Sequence, residues 1–271
     1  MTYSMTMLKN SFILLLIILY LPLKGQTPRK NFKVFDALLF KETPDLSKYG
    51  FKKINLIYED GVISTDYHVK DPVDIKRRFV DREKIVAQAK KSMLAPGAPT
   101  CLDVEHWSID NLQTQKYAIA QYVDLIRQYR SVDKKSLVSV FHYGSASPEI
   151  YNASSVIYPC YYTHDANPNV WIGMVNNSMI RINKYAKNGK KKPVYAFIWP
   201  QNNPQPGKPD FGYKFVDRKV WRMQLETLYK LVDGIVIWSH YRDEKGKLIY
   251  FDTKMPWFQE TLDFMADHNI K

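Results

Sequence analysis

The sequence predicts an α/β protein and, within that class, a single-domain, distorted (β/α) TIM-like barrel of seven or eight strands. Apolar, strand-like runs alternate with helical patterns along the chain, which is typical of a parallel sheet covered by helices. Seven such runs occur, and no glycine-rich phosphate-binding turn follows the first one. A closed barrel is therefore favoured over a doubly wound sheet.

The strands and helices are assigned in chain order from the apolar patterns. The predicted strands cover residues 32–40, 52–58, 100–107, 137–143, 155–162, 193–199 and 234–238. The predicted helices cover residues 75–93, 110–130, 170–186, 217–232 and 255–268. The two cysteines, Cys101 and Cys160, lie inside apolar strands. We expect them to be buried free thiols rather than a disulfide.

The N-terminal segment stands apart from this pattern. Lys9 precedes an apolar run over residues 12–21, and the small residue Gly25 follows at a suitable cleavage point; these are the parts of a secretory signal peptide. The run is shorter than the roughly twenty residues of a membrane span. We therefore predict a signal peptide over 1–25, a barrel domain over 26–271 and no stable membrane insertion after cleavage. Because no cysteine lies near the cut, a secreted or periplasmic protein without a lipid anchor is expected.

The charge of the chain limits the classes of partner. The formal net charge is +12, and a basic exported protein attracts polyanions. Four lysines, Lys187, Lys190, Lys191 and Lys192, cluster around one predicted loop. Arginines and aromatic residues are not interleaved as they are in a nucleic-acid groove. We therefore expect a polysaccharide or oligosaccharide partner, an anionic one included, and no nucleic acid.

Two acids mark the third predicted strand. Asp103 and Glu105 are two residues apart, so their carboxylates project from the same face of the strand. Repulsion and desolvation raise the pKa of such a pair, which keeps one carboxyl protonated near neutral pH as a general acid. The alternative is a structural pair of carboxylates held by backbone amides or an arginine. The triplet Asp103-Val104-Glu105 alone does not decide between the two.

Aromatic residues are predicted at several carboxyl strand ends, where barrel enzymes place their sites. Flat rings stack on sugar faces while acids and hydroxyls bind the polar edges. The predicted substrate-binding residues are Tyr58, Trp107, Tyr143, Tyr158, Trp199 and Trp238. Each of them singly could instead be a core residue. The histidines show no metal-binding spacing, so no metal and no cofactor are expected.

The last predicted strand lacks a candidate nucleophile. A retaining glycosidase with a protein nucleophile needs a second carboxyl about 5 Å from its acid. The strand ends at Trp238, and the next carboxylate is Asp243. Asp103 and Glu105 must therefore act together if the protein is such an enzyme.

The chain resembles the hyaluronidase family of glycoside hydrolases. The strand-three sequence Leu102-Asp103-Val104-Glu105-His106-Trp107 is similar to that family's I-D-x-E-x-W. The resemblance continues through residues 156–159, 193–199 and 234–239 in the same order. It departs at Ser108 and Ile109, where the family has arginine and proline.

The resemblance implies a distorted barrel and substrate-assisted, retaining hydrolysis of an N-acetylhexosamine-containing glycan. Glu105 would be the acid and then the base, and Asp103 would hold and polarise the acetamide. Tyr158 and Trp238 would line the pocket. The departures favour a second reading, a non-catalytic carbohydrate-binding barrel.

Overall fold

Nine strands and six α-helices lie within the residues that the computed structural model describes, 31–70, 75–208 and 210–271. The predicted signal peptide lies outside these residues. The strands are β1 Lys33–Ala37, β2 Lys52–Lys53, β3 Asn55–Tyr58, β4 Ile63–Thr65, β5 Arg78–Val80, β6 Thr100–Asp103, β7 Val138–Val140, β8 Tyr195–Ile198 and β9 Gly234–Trp238. The helices are α1 Arg82–Ser92, α2 Gln115–Val132, α3 Pro148–Ala153, α4 Pro168–Lys187, α5 Arg218–Leu231 and α6 Pro256–Asp267.

Parallel pairing runs from strand to strand in a cyclic order. One sheet has the order β2-β1-β9-β8 and another the order β3-β6-β7, and all of these pairs are parallel. Residues 156–161 lie between β7 and β8 and make single parallel bridges to each side. Only Ile54 separates β2 from β3, so β3 continues the line of β2. The order of neighbours therefore runs from β1 through β9, β8, residues 156–161, β7, β6 and β3 and back to β2 and β1. These segments are called the strand ring below.

The predicted α/β class and parallel sheet are confirmed. The hydrogen bonding is interrupted at Ile54, which divides the second predicted strand, and along residues 156–161. The predicted strand over 155–162 is therefore not a regular strand. Pro159 lies in its middle and has no amide hydrogen to donate to a ladder. Among the described helices, none has the length and apolarity needed to cross a membrane.

The predicted helix over 75–93 is wrong at its start. Residues Arg78–Val80 form β5, which pairs antiparallel with β4, and α1 begins only at Arg82. Asp81 marks the boundary, because its carboxylate accepts hydrogen bonds at 3.0 and 3.1 Å from two amides of the first turn. A capping residue takes non-helical backbone angles, so the helix cannot extend back beyond it.

The interior of the strand ring is filled with side chains. It holds Phe35, Cys101, Phe141, Val156, Tyr158, Tyr195, Phe197 and Val236. On one side of the ring β9 approaches β1 so closely that a Cβ on Gly234 would lie 2.6 Å from the Lys33 carbonyl oxygen. A filled interior leaves the carboxyl ends of the strands as the place for a cleft.

Candidate active site

Asp103 and Tyr58 lie side by side at the carboxyl ends of adjacent strands. Each is the last residue of its strand, β6 or β3, and the two are partners in the register. Leu102 and Val104, which flank Asp103, are fully buried on the outer side against α1 and α2. Because side chains alternate along a strand, Asp103 points to the inner side, at the mouth of the ring.

The chain turns immediately after Asp103. The Val104 amide donates to the Leu102 carbonyl at 3.2 Å, and the Tyr122 hydroxyl donates to the Val104 carbonyl at 3.0 Å. The predicted strand over 100–107 therefore ends at Asp103. Glu105 follows the turn with an exposed side chain, still at the mouth of the ring.

The two acids are electrostatically coupled. Burial, followed by the charges of Glu105 and Glu59, raises the pKa of Asp103 to about 7. Partial desolvation and the charge of Glu59 raise the pKa of Glu105 as well. The Oδ1 atom of Asp103 is shielded from solvent and has no hydrogen-bond partner among the described residues. The site therefore holds a proton near neutral pH, and beneath its mouth lies a carboxyl oxygen without a hydrogen-bond partner among the described residues.

A third carboxylate was not among the predicted site residues. Glu59 begins a short 3₁₀ turn directly after β3, and the Arg78 guanidinium donates to it at 2.7 Å. Arg78 belongs to β5, which pairs with β4 and which the sequence pattern assigned to a helix. Beside this ion pair is a cavity of about 360 Å³, whose walls include Tyr67 and Lys84. Glu59 was visible as an acid at a strand end, but its partner was not.

Three of the six predicted aromatic residues reach the surface at the mouth. Tyr58 is 40% exposed, and Tyr143 and Trp238 are half-buried. The Trp238 indole N–H donates to the Tyr58 hydroxyl at 3.4 Å. Trp238 also stacks on Tyr162, with ring centroids 5.7 Å apart and planes 22° apart. These contacts hold a flat aromatic surface beside Asp103.

The other three predicted aromatic residues are buried and present no face to a ligand. Trp107 and Tyr158 are 0% exposed and Trp199 is 3% exposed. Trp107 packs edge-on against Tyr122. Tyr158 packs between Phe197 and other residues of the ring interior. These three side chains lie in the core, which is the alternative that the sequence left open.

A second cavity, of about 340 Å³, lies between α4 and the loops that follow β6 and β7. Its lining includes Asp110, His142, Cys160 and Arg181. His142 has φ 55° and ψ −50°, in a region where a residue other than glycine is strained. Tyr143 lines this cavity, and burial, followed by the charges of Asp110 and Glu105, raises its pKa. The strained turn and the cavity adjoin the mouth.

The two cysteines lie within the packed interior of the strand ring. Cys101 and Cys160 are both free, as predicted. Cys101 is buried directly below Asp103 on the inner face, and burial raises its pKa well above the ordinary thiol value. A neutral thiol there is a packing residue rather than a nucleophile.

In the described part of the chain, no group of three or more His, Cys, Asp or Glu residues is arranged to hold a metal ion.

The fold is shared with solved structures of a hyaluronidase. The structure is similar to bee venom hyaluronidase crystallised with a hyaluronic acid tetramer, with TM-score 0.56 and 11% identity over 88% of this chain and 96% of that chain. A monoclinic crystal structure of bee venom hyaluronidase gives TM-score 0.56 and 10% identity, with 88% and 97% covered. A likeness at this identity establishes a shared fold. No family model matches the chain, and no curated protein matches its sequence.

Proposed function

We propose that the protein is an exported, retaining glycoside hydrolase that cleaves an N-acetylhexosamine-containing glycan with assistance from the substrate. The observation that carries the proposal is the Asp103–Glu105 pair. It combines a pKa of about 7 at Asp103 with an unpartnered Asp103 oxygen and an aromatic surface at Trp238 beside it.

In the proposed reaction, the carbonyl oxygen of the substrate acetamide attacks its own anomeric carbon. As that bond forms, the bond from the anomeric carbon to the leaving oxygen breaks, and Glu105 gives its proton to that oxygen. Water then attacks the anomeric carbon, Glu105 accepts a proton from it, and the cyclic intermediate reopens to the acetamide. The anomeric configuration is retained because two displacements occur.

Asp103 has a distinct role in this scheme. In its charged form Asp103 would accept a hydrogen bond from the acetamide N–H of a bound substrate, which would orient the carbonyl oxygen toward the anomeric carbon. As the cyclic intermediate forms, positive charge develops on the acetamide. A negative Asp103 stabilises that charge more strongly than it stabilises the neutral substrate, which is the requirement for catalysis.

The absence of a protein nucleophile from the last strand agrees with substrate assistance. Among the described residues that follow β9, Ser239 is buried with its hydroxyl accepting from the Leu39 amide at 2.8 Å. The first carboxylate after this strand is Asp243. A mechanism in which the substrate supplies its own nucleophile needs no such group.

The second candidate is a non-catalytic carbohydrate-binding barrel. It is favoured by Ser108 and Ile109, which stand where the resembled family has arginine and proline, and by the burial of half of the predicted aromatic platforms. Saccharide binding measured by calorimetry, without turnover and unchanged by Glu105→Gln, would support this candidate instead.

The test is incubation with hyaluronan, chondroitin and chitin oligomers, with products identified by mass. Glu105→Gln keeps the size of the side chain but cannot transfer a proton, so we expect a loss of about 10²–10⁴-fold. A substrate with an activated leaving group should partly rescue Glu105→Gln and should rescue Asp103→Asn less. The exposed loop variant Glu244→Gln serves as the matched control.

Double substitution of Asp103 and Glu105 should cost less than the sum of the single losses, because the two residues act on one step. A reversed rescue pattern would show that the two roles are assigned wrongly. The proposal is rejected if the wild-type protein cleaves none of these acetamido glycans.

A further inference from the structure

The end of the strand ring opposite the acids is strongly basic. Three of the segments at this end, residues 88–99, 130–137 and 184–194, precede β6, β7 and β8, and the Val194 amide in the last of them donates to the Asp233 carboxylate before β9 at 3.0 Å. These segments contain ten lysines and arginines and one acid, Asp133. Asp133 is 2% exposed, and its Oδ1 accepts from two backbone amides at 3.0 Å each. Asp133 is charged and offsets part of the charge of its neighbour Lys135, but the three segments remain strongly positive.

Hydrogen bonds hold two of these segments together. The Arg130 guanidinium donates to the Ala153 carbonyl at 2.9 Å, and the Lys192 ammonium donates to the Ser154 carbonyl at 2.6 Å. Both cations thus bind the same turn, at the end of α3, and bring the loops before β7 and β8 alongside it. The remaining segment joins them where the Thr100 amide donates to the Leu137 carbonyl at 2.7 Å.

Four lysines on this end are exposed to solvent. They are Lys134, Lys135, Lys190 and Lys191, and the charge of Lys135 is partly balanced by Asp133. They belong to loops that Arg130 and Lys192 fix in place. Their charges therefore add at one surface instead of spreading around the molecule.

The same end carries an apolar tip. Leu94 is 84% exposed and Met93 is 51% exposed, on the turn that follows α1. Lys90 and Lys91, both exposed, precede the turn by one helical turn or less. An exposed leucine and methionine flanked by lysines match the composition of a segment that lies at a membrane interface. A polyanionic sugar or nucleic acid would leave the two apolar side chains in water.

We propose that this end of the protein, named here the basic end and defined by Leu94, Lys134, Lys135, Lys190 and Lys191, docks on a bilayer surface containing anionic lipid. The lysines bind the headgroups, and Leu94 inserts among the acyl chains close to the surface. The acids at the opposite end of the strands then face away from the bilayer, toward soluble or extended glycans. This inference does not depend on the proposed hydrolase activity.

The proposal is tested by sedimentation with vesicles, using the chain from residue 26 onward. Residues Asn31–Lys271 are compact by themselves, and this chain removes the apolar run over 12–21 from the assay. We expect binding to vesicles of phosphatidylcholine with about a third phosphatidylglycerol, little binding to pure phosphatidylcholine, and release at high salt.

Two variants separate the charge from the apolar tip. Changing Lys134, Lys135, Lys190 and Lys191 to glutamine should lower partitioning by about a hundredfold or more, since each lysine near such a surface contributes about fivefold. The matched control changes four exposed lysines near the carboxyl ends of the strands, Lys41, Lys245, Lys247 and Lys254. It should lower partitioning far less.

Leu94→Ser should lower partitioning by about fivefold to tenfold. Leu112→Ser is its control. Leu112 is also 84% exposed, but it follows β6 and therefore lies toward the carboxyl ends of the strands, whereas Leu94 precedes β6. Thermal melts establish that each variant is folded.

Four outcomes overturn the proposal. The first is no binding of the wild type to anionic vesicles at low salt. The second is an equal loss in the two four-lysine variants. The third is Leu94→Ser binding as tightly as the wild type. The fourth is capture by immobilised polygalacturonate, or self-association of the chain, that depends on the basic end while vesicle binding does not.

Discussion

Asp103→Asn should make the folded protein more stable relative to wild type as the pH rises. The carboxyl has an ordinary pKa of 3.8 and a pKa of about 7 in the folded protein. Between these two pH values the folded state keeps a proton that the unfolded state has lost. The free energy of unfolding therefore falls as the pH rises through this window and stays low above it.

The magnitude follows from the shift. A difference of about three pKa units corresponds to about 4 kcal/mol between pH 4 and pH 8. This figure is an upper bound, because Asp103 is only half-buried and solvent reduces the cost of its charge. Asparagine carries no charge at either pH, so the variant lacks this contribution. The quantity to compare is the stability of the variant minus that of the wild type, measured at each pH.

The assay is urea unfolding followed by tryptophan fluorescence at pH 4, 5.5, 7 and 8. We expect the difference between variant and wild type to move in favour of the variant across this range, by an amount between about 1 and 4 kcal/mol. Asp210→Asn, at an exposed loop position, should show no such trend. A difference that is the same at all four pH values would refute the account of Asp103 as a buried, proton-holding carboxyl.

Further predictions concern activity. Because Glu105 must be protonated, kcat/KM should fall as the pH rises through the pKa of Glu105, which burial and the charge of Glu59 raise. Because Asp103 must be charged, kcat/KM should also fall as the pH drops below about 7, the pKa of Asp103. Glu59→Gln should move the alkaline limb to lower pH, because it removes negative charge near the pair. Arg78→Gln should move it to higher pH, because it removes positive charge. A pH profile of each variant measures the two shifts, and shifts in the same direction would contradict the reasoning. Trp238→Ala should raise KM about fivefold through loss of stacking, whereas Trp238→Phe should raise it less; steady-state kinetics on one oligosaccharide distinguishes them, and an unchanged KM in Trp238→Ala would place the sugar elsewhere.

The sequence predicted a strand or a helix best where it begins at a residue whose type determines the local backbone, such as a required glycine or a helix cap. The prediction over 234–238 coincides with β9, which begins at the glycine that its close approach to β1 requires. The helix predicted over 217–232 corresponds to α5, with Asp217 as its cap. In both cases local chemistry and tertiary packing require the same boundary.

The predictions were weakest where the depth of a side chain decides its role. Of Trp107, Tyr158 and Trp199, only Trp199 directly follows a strand, β8, and a periodic pattern does not show how far below the surface a ring lies. The turn after Asp103 carries Trp107 away from the mouth and into contact with Tyr122. The Glu59–Arg78 pair was missed because it depends on a hairpin whose second strand has a helix-like apolar spacing.

The packing below the acids explains how one short strand can supply the features of the site. The inner-face residue two positions before Asp103 is Cys101, which is fully buried among residues such as Tyr158 and Phe197. An apolar floor of this kind desolvates Asp103 from below while Glu105 and Glu59 repel its charge from the mouth, and together these effects hold the proton on the pair. A polar side chain at position 101 would instead offer Asp103 a hydrogen bond, stabilise its charged form and lower its pKa. The residues that fill the ring therefore set the protonation of the acids as directly as the residues that line the cleft.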